Sequence, residues 1–179
     1  MDTKESILTR RSIHRFSERP VERSCLEEVI SLASYAPTWK NTQISRYIAI
    51  ESPDVRQEIA DGYVNHPNNA SVIKQAPMIV AQSFRKARSG FDRDGSFATD
   101  RKDGWQYYDC GIAAQTFCLA AWEKGLGTLV MGVFNRLGLE KYLKLPEEEE
   151  LMALIALGYP DETPNAPRRK DVGALLRFL

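Results

Sequence analysis

The 179-residue sequence predicts an α+β fold built in layers, and two observations carry that prediction. Apolar residues recur at helical spacing in long stretches near 22–35 and 105–124, while short β-branched or aromatic runs fall between the helices at uneven distances. Strands spaced so irregularly depart from the even strand–helix alternation of a parallel βαβ array. The length fits one domain, 1–179, with no internal repeat and no linker.

The first helix starts at Asp2, whose carboxylate can accept from a backbone amide while Glu5 completes a capping box, and it runs to about Arg10. A second spans about Glu22 to Tyr35, with Leu26, Val29, Ile30 and Ala33 on one stripe and Pro37 marking its end. Arg46 to Ile50 reads as a strand. A helix opened by Ser52-Pro53 follows and turns Val55 and Ile59 inward. Met78 to Ser83 reads as a buried strand. Residues 84–104 mix Arg, Lys, Asp, Ser and Gly without periodicity, which predicts a mobile loop or an irregular lid. The longest helix runs from Trp105 to about Lys124, and its Ala-rich face predicts close helix packing. Gly125 and Gly127 end it. Thr128 to Met131 forms a short strand, a helix covers about Arg136 to Leu143 and stops at Pro146, and Met152 to Leu157 is the last strand.

Composition narrows the function. The chain is 43% apolar and 27% charged, with 24 basic and 24 acidic residues. Zero net charge argues against nucleic acid as the main partner, because duplex binding draws on an excess of Lys and Arg facing phosphates. No apolar run reaches the roughly 18 residues that cross a bilayer, and the charged N-terminal stretch carries no signal core, so no membrane association and a cytoplasmic location are expected. Cys25, Cys110 and Cys118 form no Cys-x-x-Cys pair or Cys/His cluster, which excludes a structural zinc reading and argues against disulfides. Cys110 and Cys118 read as small core residues.

Three polar segments could carry chemistry. Arg10, Arg11, Ser12, His14 and Arg15 crowd cations and a hydroxyl into six positions, which suits a phosphate; the same residues also suit a solvated helix end favoured by the dipole. Thr38, Asn41 and Gln43 lie in a turn between a helix and a strand. Their donors and acceptors suit the edge of a flat heteroaromatic ring, and equally an ordinary turn. Gly125, Gly127 and Gly132 bracket Leu129, Val130 and Met131, which lets backbone approach a ligand and also reads as a helix cap before a core strand. No Gly-x-Gly-x-x-Gly follows a strand and no P-loop is present. His14 and His66 stand beside no Ser or Cys nucleophile motif, so hydrolase readings lose ground, and Glu147 to Glu150 read as a solvated run.

Taken in order, RRSIHRF (10–16), APTWKNTQ (36–43), WQYYDCGIAAQTFCLAAWEKGLGT (105–128) and LGYPDETPNAPRRK (157–170) resemble the nitroreductase family of FMN enzymes across nearly the whole chain. The resemblance implies a three-layer fold, a central and mostly antiparallel sheet flanked by helices, with FMN at the interface of a homodimer. It implies that Arg10, Arg11, Ser12 and the residue at 14, here His14, hold the phosphate and ribityl chain, with Arg168 or Arg169 returning to the phosphate. Pro37, Thr38 and Asn41, with Gln43 beside them, would reach the flavin from the second subunit, and Leu129, Val130, Met131 and Gly132 would line the ring through backbone contacts. The implied activity is hydride transfer from NADH or NADPH through FMN to a small electron-poor acceptor, a nitroaromatic, quinone or similar molecule, with ping-pong kinetics and no catalytic side chain of its own. Dehalogenation, alkene reduction, flavin cleavage, or a flavin-binding dimer without turnover are the alternatives. Three positions depart from the family pattern: His14 stands where Arg is usual, Ile44-Ser45 follows Gln43 in place of Pro-Trp, and the chain is short, with any substrate cap confined to 84–104.

Overall fold

The computed structural model describes residues 2–179, and within them lie six helices and four strands. In chain order they are α1 (Thr3–Thr9), α2 (Arg23–Ala33), β1 (Ser45–Ile50), α3 (Pro53–Tyr63), α4 (Pro67–Gln75), β2 (Met78–Arg85), α5 (Gly104–Glu123), β3 (Gly127–Met131), α6 (Arg136–Tyr142) and β4 (Glu149–Gly158). The predicted α+β class holds. The sequence reading leaves out the helix α4, which opens on a Pro-Asn-Asn run of weak helix formers. Pro67 occupies the first helical turn, where no amide is needed, and the His66 side chain caps the end by accepting from the Asn69 N–H at 3.4 Å.

The sheet runs in the order β1-β2-β4-β3, and every pairing is antiparallel. Alternation along the central strands feeds two cores. Ile79, Ala81, Leu154 and Ala156 join Ile59, Ile73 and Leu139 from α3, α4 and α6 on one face. Met78, Val80, Ile155 and Leu157 join Leu26 and Val29 of α2 and Phe117 and Ala121 of α5 on the other. Three layers result, helix–sheet–helix. α5 buries Cys110, Ala113, Phe117 and Ala121 on its inner side, and small residues there allow the close α2–α5 contact. Asp2 caps α1 as expected, accepting from the Glu5 N–H at 2.7 Å. No helix of the described residues is long and apolar enough to cross a membrane.

Residues 86–103 contain no helix or strand, yet the segment is anchored. Ala98 N–H donates to Gly90 O at 2.9 Å, the Phe91 and Phe97 rings lie 4.9 Å apart, and Trp105 Nε1 donates to Thr99 Oγ1 at 3.0 Å. Gly90 sits at φ +86°, and a Cβ there would lie 2.3 Å from Lys102 O, so only glycine lets this loop fold back on itself.

Candidate functional site

The segment that leaves α1 docks along β3 and extends the sheet. Ile13 N–H donates to Thr128 O at 3.0 Å, which pairs Ser12 with Thr128 in parallel sense, and Ser17 N–H reaches Tyr159 O at 2.9 Å. Gly127 makes this approach possible, because a Cβ there would lie 2.5 Å from Ile13 Cγ1. Ile13 is therefore fully buried while its neighbours Ser12 and His14 face out. Among the described residues the Arg10 guanidinium and the Ser12 hydroxyl have no hydrogen-bond partner inside the chain. Arg11 differs, since its Nη1 already donates to the carbonyls of Leu8 and Arg10, both at 2.8 Å.

His14 and Arg15 are tied from below by Glu162, a residue that sequence reasoning passed over within the last family-like segment. Its carboxylate accepts from the backbone N–H of His14 and, at 3.1 Å, from that of Arg15. Arg15 Nε lies 3.6 Å and His14 Nδ1 3.9 Å from the same group. Partial burial pushes this carboxyl up, but the two amides and the two side-chain charges outweigh burial and hold it below its ordinary 4.5. A depressed folded-state value makes a contribution to stability that is present above 4.5 and lost as pH falls through the folded value. Chemical denaturation across that range should therefore show a shallower acid-side loss of stability in Glu162→Gln than in the parent protein; equal slopes would remove Glu162 from this role.

Along β3, Leu129 and Met131 turn toward the core, and Val130 is 48% exposed. Backbone groups of alternate residues share one strand edge, so the outward carbonyl of Thr128 places the N–H and C=O of Val130 on the same open edge, followed by Gly132. These groups offer donors and acceptors in a row beside Ser12.

The 37–43 loop is built differently. Trp39 to Asn41 form one 3₁₀ turn, and Lys40, Asn41 and Gln43 all take left-handed backbone, φ 46°, 56° and 48°. Such a conformation is strained for a non-glycine residue unless neighbours enforce it. Thr38 Oγ1 accepts from Gln43 N–H at 3.1 Å, Asn41 Oδ1 accepts from Gln43 Nε2 at 3.2 Å, and Arg46 Nη1 donates to Gln43 O at 2.9 Å. Thr38 and Gln43 line a 330 Å³ cavity with Ser34, Arg46 and Tyr47. The Tyr47 phenol is pushed up to about 12, chiefly by burial, and stays protonated at neutral pH.

Within one chain these two groups stand apart. The 37–43 loop leads into β1 and the 10–16 segment lies on β3, the opposite edges of the sheet, roughly 14 Å apart at ~4.8 Å per strand. Arg168 and Arg169 lie on the exposed C-terminal segment, where Arg169 Nη1 donates to Pro167 O at 2.8 Å; no hydrogen bond joins them to Arg10 or Ser12. Thiolate formation is disfavoured at Cys110 and Cys118: burial pushes Cys110 up to about 12 and also raises Cys118. Among the described residues no His, Cys, Asp or Glu group could hold a metal.

The nitroreductase family model matches residues 7–69 and 63–159, which together take in the 10–16 segment, the loop, α5 and the whole sheet. The chain belongs to the nitroreductase family. A Methanothermobacter thermautotrophicus protein named as an NADH dehydrogenase/NAD(P)H nitroreductase is 29% identical over 168 residues, covering 92% of this chain and 80% of its own length. The FMN reductase (NAD(P)H) of Bacillus subtilis is 26% identical over 174 residues, covering 92% of this chain and 68% of its own. Among solved structures, a nitroreductase family protein of Streptococcus pneumoniae TIGR4 shares the fold at a TM-score of 0.86 and 18% identity, covering 99% of this chain and 100% of that one. The three-layer arrangement expected of a nitroreductase is the one observed.

The donor set suits the phosphate end of a nitroreductase flavin. A guanidinium and an exposed hydroxyl, both without hydrogen-bond partners among the described residues and beside an open strand edge, match the charge and hydrogen-bonding needs of a phosphate and its attached chain.

Proposed function

We propose that this protein is an FMN-dependent oxidoreductase that moves hydride from NADH or NADPH to a small electron-poor acceptor, such as a nitroaromatic or a quinone, and that it works as a homodimer. One observation carries the reading: a phosphate-type donor cluster and a polar, conformationally fixed loop occupy opposite edges of the sheet. A second copy is the simplest way to bring the two together. The relatives named for NAD(P)H nitroreductase and FMN reductase activity support the chemistry.

Arg10, Arg11, Ser12 and His14 would hold the phosphate and ribityl chain, with Arg168 or Arg169 as further cations. The backbone of Leu129, Val130, Met131 and Gly132 would line the ring, and Pro37, Thr38, Asn41 and Gln43 of the second copy would close it from the other side. FMN, when bound, would supply the two-electron redox chemistry that links NAD(P)H to the acceptor, and ping-pong kinetics are expected. The protein's own part is to hold and orient the ring, to place hydrogen-bond donors along its edge, and to limit access to one small molecule at a time.

Exposed apolar side chains support the dimer. Ile7 and Leu8 on α1, Tyr108 on α5, and Leu175, Leu176 and Phe178 near the C-terminus are each more than half exposed and offer a second copy apolar surface to cover. Purified protein should run as a dimer on sizing with light scattering, should be yellow or take up FMN, and its flavin absorbance should bleach on anaerobic addition of NADH or NADPH. Colourless protein that cannot be loaded with FMN would refute the cofactor; bound flavin that neither nucleotide bleaches would refute the oxidoreductase reading and leave a flavin-binding dimer.

A further inference from the structure

The most connected buried carboxylate among the described residues is Asp109 of α5, only 2% exposed. Trp39 N–H donates to its Oδ2 at 3.0 Å, and the Ser89 hydroxyl, fully buried, donates to the same oxygen at 2.5 Å. Ser89 in turn meets Thr42 Oγ1 at 2.7 Å. Because the Ser89 proton is directed at Asp109, Thr42 is the donor in that last bond. The 37–43 loop is thus gripped near both ends, at Trp39 directly and at Thr42 through Ser89, by one carboxylate on the long helix. Lys40 adds an ion pair to Asp92 at 3.1 Å, so residues 86–103 brace the loop from a second side.

Such a grip explains how the loop keeps three left-handed non-glycine residues, a conformation that relaxes when nothing over-determines it. A free chain would fold Lys40, Asn41 and Gln43 back to ordinary backbone and turn the Thr38, Asn41 and Gln43 side chains elsewhere. Asp109 also stands on the α5 stripe that packs against the sheet, so its position is fixed by the core and not by the loop it holds.

We infer that Asp109 and Ser89 are positioning residues for the flavin-ring loop: the Asp109–Ser89–Thr42 chain with the Trp39 amide presets Thr38, Asn41 and Gln43 for the ring edge. This rests on the FMN reading above and names the residues on which ring recognition depends. It also gives residues 86–103 a task, since Ser89 belongs to them.

The test uses the full-length dimer and compares Asp109→Asn, Ser89→Ala and Thr42→Val with the parent, measuring Kd for FMN and for riboflavin, the visible circular dichroism of the bound flavin, and the rate of flavin reduction at saturating NADPH. The expected result is a fall of about 10–100-fold in the reduction rate, the scale of a misplaced reacting group. Affinity for FMN and riboflavin should fall by the same factor, so the preference for FMN over riboflavin persists, and the flavin dichroism should change. Ser89→Ala and Thr42→Val remove only hydroxyls, so they report even where Asp109→Asn folds poorly. Parent-like dichroism and reduction rate in all three variants would overturn the inference, as would a loss of FMN preference with unchanged riboflavin binding. A parent protein that binds no flavin at all refutes the FMN reading instead, which keeps the two failures distinct.

Discussion

Replacing Arg10 and Ser12 together by Ala will weaken FMN retention by about two to four powers of ten while leaving the unliganded fold intact. The size follows from what is lost. A hydrogen bond to a charged group contributes about 1.5–3 kcal/mol, so two such contacts amount to about 3–6 kcal/mol, at about 1.4 kcal/mol per tenfold in affinity. The specificity of the effect follows from the structure, where neither side chain has a hydrogen-bond partner among the described residues. Their removal therefore costs the empty protein little. Arg11 makes the contrast, because its guanidinium is already bonded to the carbonyls of Leu8 and Arg10 at the end of α1. Arg11→Ala should loosen that helix end and lower the melting temperature more than the double variant does. Fluorescence titration with FMN and a thermal melt without it separate the two outcomes. An unchanged FMN Kd in the double variant would move the phosphate site away from this segment.

Much of this is legible in the sequence, for physical reasons that differ between elements. The helix α2 declares itself by an apolar stripe at helical spacing, α5 by its length and its run of small apolar residues, and the strands by short β-branched or apolar runs, since the central strands β2 and β4 are buried almost throughout and carry little polar alternation. The clusters at 10–15 and 37–43 suit a helix end and an ordinary turn as well as a ligand, and it is their order along the chain with the 105–128 and 157–170 segments that makes them stand out. What stays hidden are residues whose role comes from distant partners. Asp109 is not singled out by the sequence; it stands on the buried stripe of α5, between Gln106 and Ala113, where burial without a partner is costly. Its partners Ser89 and Trp39 lie 20 and 70 residues away, and no local pattern joins them. Glu162 is hidden in the same way, 148 residues from the His14 amide that it accepts from. The opposite-edge placement of the two polar groups is likewise a property of strand order, which the sequence does not display.

Gly127→Val will have the second large effect, on fold and cofactor together. The position reads as an ordinary glycine after a helix, and the sequence offers two explanations for it, a cap or a ligand approach. The geometry gives a third, since a Cβ at 127 would lie 2.5 and 2.9 Å from Ile13 Cγ1 and Cβ and 3.1 Å from Pro160 Cγ. Neither neighbour can yield easily: Ile13 is fully buried and stiff at its branch, and Pro160 is held by its ring and by the pairing with Phe16. The β3 strand could relieve the clash only by breaking its register with β4, so the segment that is not part of the sheet core gives way. The Ile13–Thr128 hydrogen bond is lost, and Arg10 to His14 lift off the strand. Overpacking of this kind costs about 1–3 kcal/mol of stability. FMN affinity should fall along with it, because the proposed phosphate donors no longer stand beside the open edge of β3. Gly125→Ala is the control, at φ +76° with no atom within 4 Å of an added Cβ: it strains the backbone and should leave FMN binding alone. Combining Ile13→Ala with Gly127→Val removes the nearer obstructing atom, Cγ1, and keeps the Cβ, so a double-mutant cycle should show partial favourable coupling in both stability and FMN Kd. Additive losses in that cycle would mean that Gly127 acts through β3 itself and not through the seat of the phosphate segment.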